Sequence, residues 1–472
     1  MDSPASKTET RPLSLAKGFV YLLAAVSSFT LAYSFNALSF LIVVYLYCLI
    51  SLARVKTSRQ AFYFGLGVGM LAYPIQLTCF WTIFGPAAIA LWFVLAFWLG
   101  LFVMLSRLCL VNFKMPWGAL LIPFLWAGLE YFRSELYYLR FSWLNVGYVF
   151  SESAYCFPLK IVGMYGMGFV FVFLLCAFQF LKKWHGVVAN FLLLIIVMII
   201  ADLPVPLGHF PKEAPKQVVR IAGVQFEFES LDRIIAALDR LAAKVPKPEL
   251  FVLSEYTLTS TPPQELKDWC REHQKFLVVG GKEDAPNNNF YNTAFVIGTN
   301  GEVVFKQVKA VPIQFFKDGL PAPEQKLWES PWGKIGICIC YDLSYTKVTD
   351  GLIKLGAEAL IVPTMDVEDW GRRQHELHFR VAPVRAAEYG VGIFRVASSG
   401  ISQWVHPTGK VRATAPFPGR GEMIWGVLDF GNPGTLPFDR TLAPFSVLIT
   451  ALIIIVLTAQ TFWRKFRKKP AA

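Results

Sequence analysis

Seven stretches of roughly 18 to 25 mostly apolar residues crowd the first two hundred positions, at 17–35, 37–53, 60–84, 87–106, 117–132, 158–181 and 186–203. An eighth lies at 441–463. A helix of that length crosses a hydrocarbon core of ~30 Å, so the chain reads as a multi-helix transmembrane bundle of about eight helices. Composition agrees, because 55% hydrophobic, 15% aromatic and only 17% charged residues over 472 positions is too apolar for an ordinary soluble protein. Residues 210–436 differ: they carry ordinary charge density and loop chemistry. The expected organisation is a transmembrane domain of seven helices over 1–209, a soluble domain over 210–436, and an eighth helix with a basic tail over 437–472.

Basic residues punctuate alternate gaps between the apolar segments: Lys7, Arg11 and Lys17, then Arg54, Lys56 and Arg59, then Arg107 and Lys114, then Lys182 and Lys183, and finally "RKFRKK" after Trp463. Intervening gaps such as "FGPAA" are nearly free of them. The positive-inside rule then puts both termini in the cytoplasm and the soluble domain across the membrane. The net charge of +12 is largely this topology signal. It is not the clustered patch that a nucleic-acid partner would need, so none is expected. The first segment lacks a small-residue cleavage site closely followed by polar sequence and reads as a retained helix. The eight cysteines are scattered and form no disulfide framework.

Within 210–436 the pattern is α/β. Apolar, β-branched runs bounded by turn residues read as strands: "VVRIAGVQF" from Val218, "ELFVLSEY" from Glu249, "FLVVGG" from Phe276, "TAFVIG" from Thr293, "KIGICICY" from Lys334, "ALIVPT" from Ala359 and "GIFRVAS" from Gly392. Helical periodicity lies between them, as in "SLDRIIAALDRLAAK", where Ile234, Leu238 and Leu241 share one face after a Ser230 cap. "TNGE" at 299–302 reads as a hairpin turn with positive φ available at both central residues.

Three residues at strand ends carry possible chemistry. Cys338 and Cys340 share one face of a strand by period-two alternation, and only Cys340 stands at its end, where backbone N–H groups of the following turn can bind an oxyanion. Taken alone, both are equally readable as small buried hydrophobes. Glu255 closes the apolar strand "LFVLSEY", a placement suited to a general base but also open to a surface charge. Lys306 and Lys309 in "GEVVFKQVKAVP" are three apart and so point to opposite faces of an extended strand; the count to Val311-Pro312 favours Lys309.

In chain order, Glu255, Lys309 and Cys340 resemble the Glu-Lys-Cys triad of the carbon–nitrogen hydrolase (nitrilase) superfamily. "SEY" is similar to that family's "PE", "VVFKQVKAVP" to "Y-x-K-x-x-x-V-P", and "GICICYD" to "G-x-x-I-C-Y-E". "RAAEYGVGIFRVASSGISQWVHPTGKV" from Arg385 resembles its Arg-Ala-x-Glu helix, next strand and Pro-x-Gly hairpin. The resemblance implies an α-β-β-α sandwich. Such a domain between a seventh and an eighth membrane helix resembles the bacterial apolipoprotein N-acyltransferases, and "RFSWLNVGY" from Arg140 is similar to their Gly-Phe-Pro-Trp-x-x-x-Gly-Tyr element. Departures are "IQFFKDG" where the family continues "VPFGE" after Val-Pro, which leaves the expected carboxylate missing or displaced to Asp318; Asp342 where Glu is usual; and Ser254 where Pro is usual.

The resemblance implies a multi-pass protein of the bacterial inner membrane with a periplasmic catalytic domain, acting on a phospholipid acyl donor and a diacylglyceryl-modified lipoprotein acceptor. No cofactor is implied. A thiol with an ordinary pKa near 8.5 needs a base, and Glu255 takes that role, with Lys309 and the Tyr341 backbone N–H at the oxyanion. Trp143, Phe315, Phe316 and Trp370 are expected to contact substrate. A membrane-anchored amidase would use the same triad with water as acceptor; a transporter would explain the helices and not the triad. "HELH" at 375–378 has i,i+3 spacing, where the zincin helix needs i,i+4 and a third ligand, so no metal is expected. A Ser-His-Asp site lacks its G-x-S-x-G elbow.

Overall fold

The structure is a computed structural model that describes residues 12–156, 158–181, 184–200, 215–244 and 246–467. The first seven apolar segments each carry helix: α1 Leu15–Ser34, α2 Leu41–Leu52, α3 Ser58–Gln76 with α4 Thr78–Phe84, α5 Ala88–Asn112, α6 Trp117–Leu120 with α7 Ile122–Tyr131, α8 Leu159–Phe180 and α9 His185–Ile200. Side chains cap two of the N-termini, Ser14 accepting from the Lys17 N–H and Thr57 forming a capping box with Gln60.

The soluble part begins with β1 Gln217–Val224, α10 Leu231–Ala242, β2 Leu250–Val252, α11 Gln264–His273, β3 Phe276–Ala285, β4 Asn289–Ile297 and β5 Val303–Val308. It continues through β6 Leu327–Ser330, β7 Gly333–Ile337, α12 Thr346–Lys354, β8 Ala359–Thr364, α13 Arg372–Phe379, α14 Val381–Tyr389, β9 Gly392–Ala397, β10 Ser402–Val405, β11 Val411–Ala415 and β12 Met423–Phe430. The chain returns to the apolar region as α15 Asp439–Arg467.

Four helical stretches among the described residues are long and apolar enough to cross a membrane: Leu15–Ser34, Thr78–Asn112, Leu159–Phe180 and Asp439–Arg464. The other expected segments fall short of that length or composition among the described residues, for local reasons. α2 has 12 residues. α7 stops after 10 and passes into a π-turn at Phe132–Leu136. α3 mixes Arg59, Gln60 and Gln76 into its apolar run. Residues 201–203 of the seventh segment, and 204–214 after them, lie outside the described residues.

Two six-stranded sheets, β12-β1-β2-β3-β4-β5 and β11-β10-β9-β8-β7-β6, make the inner layers of the expected α-β-β-α sandwich. In both, parallel pairs at the centre (β1-β2-β3 and β7-β8-β9) are flanked by antiparallel ones. Val219, Ile221, Val252 and Val278 of the first sheet meet Ile335, Ile337, Ile361 and Phe394 of the second in a buried inter-sheet core. The outer face of the first sheet is covered by α10 and α11, with Ile234, Leu238 and Leu241 buried as their spacing predicts. The outer face of the second sheet packs on α12 and α14, and that layer continues without a break into the core of the membrane helices. The "TNGE" turn differs from expectation: of its residues only Gly301 has positive φ (79°), and a register shift at Val296/Ile297 absorbs the difference.

Candidate active site

Loops at the C-terminal ends of β2, β5, β7 and β8 converge on one point, as ligand-binding loops do in α/β sheets with parallel centres. Glu255, three residues beyond β2, is held tightly there: a Cβ at Gly280 would stand 2.5 Å from the Glu255 Cα, so only glycine permits this approach. The Glu255 carboxylate is fully partnered. Oε1 accepts from Lys309 Nζ at 2.8 Å and from Asn292 Nδ2 at 2.6 Å, and Oε2 accepts from the Met365 N–H at 2.7 Å.

Lys309 follows β5 and is 0% exposed, whereas Lys306 lies on the outer face and pairs with Glu283. The two lysines thus point to opposite sides, as alternation requires. Burial alone would lower the Lys309 pKa, but the surrounding carboxylates, Glu255 foremost, hold it well above the ordinary lysine value. One of them is Asp318, whose Oδ2 lies 2.7 Å from Lys309 Nζ. The carboxylate that departs from the family spacing is therefore supplied by the displaced Asp318, which also accepts from Tyr256 Oη (2.7 Å), Asn292 Nδ2 (3.0 Å) and the Ile313 N–H (2.7 Å).

β7 ends at Ile337, and Cys340 opens a short 3₁₀ turn, Cys340–Ser344, with φ of +55°. That conformation is costly for a residue with a Cβ and breaks the strand's alternation. The expectation that Cys338 and Cys340 share one face is corrected accordingly: Cys338 packs in the helix-side core and Cys340 in the inter-sheet core. Burial, then the Glu255 carboxylate, push the Cys340 thiol well above the ordinary value, with Lys309 opposing. The thiol points toward the Met365 carbonyl at 3.6 Å. Asp342 braces the turn by accepting from the N–H groups of Ile339 (3.1 Å), Ala310 (3.0 Å) and Val311 (2.8 Å), tying the cysteine turn to the lysine loop; burial raises its pKa to about 7.

The site opens into a largely apolar cleft of ≈ 950 Å³, counting the part at its mouth. One wall belongs to the loop after β7, with Cys340, Tyr341 and Tyr345; the other to the apolar helical region, with Phe80 and Phe84 of α4, Leu91 and Val94 of α5 and the segment 139–143. Trp143 is buried between the two: its ring stacks on His378 at 4.8 Å, meets Tyr341 edge-on at 5.4 Å, and its Nε1 donates to Ser344 Oγ at 3.0 Å. Phe84 touches Phe315 (5.8 Å) and Phe316 (6.0 Å), and Phe316 touches Trp370 (5.9 Å), forming an aromatic rim.

Sequence reasoning missed Asn292, a buried polar residue of β4, and the network around Asp366 behind the cleft. Asp366 pairs with His378 Nδ1 (2.8 Å), Gln374 Nε2 (3.1 Å) and Arg395. Burial alone would raise its pKa, but His378 and Arg395 hold it well below the carboxylate range. His375 and His378 of "HELH" are thus buried beside a carboxylate, while Glu376 pairs outward with Arg372 and Arg373.

The family description "Apolipoprotein N-acyltransferase N-terminal domain" matches residues 23–177, and "Carbon-nitrogen hydrolase" matches residues 245–426. An apolipoprotein N-acyltransferase of Geobacter metallireducens is 23% identical across 84% of this chain and 87% of its own length; one of Shewanella oneidensis is 22% identical across 75% and 78%. The deaminated glutathione amidase of Dictyostelium discoideum is 26% identical, but across only 32% of this chain and 60% of its own. Relatives of the soluble half alone thus cover a minor part, whereas the acyltransferases run through both halves. The chain carries the N-terminal domain of the apolipoprotein N-acyltransferases followed by a carbon–nitrogen hydrolase domain, and it is similar to those acyltransferases over most of its length.

Proposed function

We propose that this protein transfers a fatty acyl chain from a membrane phospholipid to the N-terminal amino group of a diacylglyceryl-cysteine lipoprotein, through a thioester on Cys340. The observation that carries this reading over an amidase is the cleft: the nucleophile opens between loops of the soluble part and apolar membrane helices, a largely apolar space of a size that suits an acyl chain. Glu255 accepts the Cys340 thiol proton, and the thiolate attacks the ester carbonyl. Lys309 and the Tyr341 N–H stabilise the oxyanion. As the C–O bond breaks, Glu255 returns the proton to the leaving lysophospholipid alcohol. The acceptor amine then attacks the thioester, Glu255 takes its proton, and that proton returns to the departing Cys340 sulfur. Phe315, Phe316, Trp370 and Trp143 shape the entry.

The positive gaps, together with the helices in all eight apolar segments, support an eight-helix, inner-membrane protein with cytoplasmic termini and a periplasmic catalytic domain. Incubating the full-length protein with labelled phospholipid and a diacylglyceryl peptide, followed by mass spectrometry, should reveal an acyl adduct on Cys340 and an acylated peptide amine. Free fatty acid with no peptide product would instead identify a hydrolase.

A further inference from the structure

Two charged side chains line the cleft, Arg140 and Asp366, with His378 as the one other titratable imidazole there. Asp366 is paired from behind with Arg395 and hydrogen-bonded to His378. Arg140 is different. Among the described residues its half-buried guanidinium makes no hydrogen bond or ion pair; its close neighbour is the Tyr345 ring, 5.0 Å away, and Tyr345 in turn meets the Tyr341 ring at 5.0 Å.

A guanidinium carries five donors and stays charged in a protein. On a wall otherwise made of Phe80, Phe84, Leu91, Leu139 and Phe141, those donors lack protein partners, and a planar fork of that kind matches phosphate oxygens two at a time. Across the Tyr345–Tyr341 pair lies Cys340, on the same cleft. A glycerophospholipid has this layout: a fatty ester to meet the thiol, a phosphodiester one glycerol unit away, and an acyl chain suited to α4 and α5. We infer that Arg140 is the anchor for the phosphodiester of the acyl donor and sets a preference for phospholipids over neutral esters. This rests on the acyltransferase reading.

The test compares single-turnover thioester formation by the full-length protein from phosphatidylglycerol and from diacylglycerol with the same chains. The readout is the ratio of the two rates. Arg140→Gln should lower that ratio about 10- to 100-fold, the effect of losing a charge-assisted hydrogen-bonded pair, and Arg140→Lys should restore part of it. A ratio unchanged in both variants, whether or not both rates fall together through misfolding, overturns the phosphate anchor alone. A wild-type protein acylated by neither lipid, while releasing acid from a small amide, overturns the acyltransferase reading and the anchor with it.

Discussion

Cys340 sits in a strained backbone conformation, φ of +55°, and in an environment that opposes easy ionisation, with 2% exposure and a carboxylate nearby. Both burial and Glu255 raise the thiol's pKa, so at neutral pH the resting sulfur holds its proton. The sign of the effect gives a prediction in two parts. In Glu255→Gln one of the raising causes is gone while the Lys309 charge remains, so alkylation of Cys340 by iodoacetamide should follow a pH curve displaced to lower pH. Acylation by phospholipid should nevertheless fall by ~10²–10⁴, the usual loss for a missing general base. Following both by mass spectrometry separates charge from proton transfer; a curve displaced upward would contradict the arrangement.

At the scale of elements, the site is a meeting of loops held by two braces. Asp342 joins the cysteine turn to the lysine loop through three backbone N–H groups. Trp143 joins the membrane-side segment 139–143 to the soluble part by stacking on His378 and donating to Ser344. Removing a buried indole typically costs about 3–5 kcal/mol, so Trp143→Ala should lower both the melting temperature and kcat. Trp143→Phe keeps a stacking ring and loses only the Ser344 bond, worth about 0.5–1.5 kcal/mol. It should retain most of the stability in a thermal melt; an equal loss for Phe and Ala would show that the bond, and not the ring, is the brace.

For the whole molecule, a charged seam locks the two domains. Arg440, near the start of α15, pairs with Asp350 of α12 (2.9 Å), Glu388 of α14 (3.2 Å) and Asp439 (2.7 Å). Glu388 also accepts from the Met164 N–H of α8 at 2.7 Å, and Asp439 accepts from the Tyr165 N–H at 2.8 Å. Removing one partner of such a buried group strands the others, at a cost of about 3–5 kcal/mol. Arg440→Met should therefore lower the melting temperature of the detergent-solubilised protein more than loss of an exposed pair such as Lys326–Glu324. Equal melting of the two variants would mean that the seam adds nothing to stability.

What the sequence determined by itself is what short windows encode. Apolar length marked the helical segments, alternation marked the strands, amphipathic spacing placed Ile234, Leu238 and Leu241 inward, and parity separated Lys309 from Lys306. These rest on the geometry of a single element and need no knowledge of partners. The tertiary structure decided what depends on residues far apart in the chain. Asp318 filled the place of the expected carboxylate because its loop folds back onto Lys309. Asn292 joined the site across a strand pairing. Cys340 turned away from the face it would share with Cys338, since a left-handed residue ends the alternation that the prediction assumed. Arg140 faced the thiol's cleft only once a membrane-side segment packed against the loop after β7, a contact that spans some two hundred residues and leaves no trace in any local pattern.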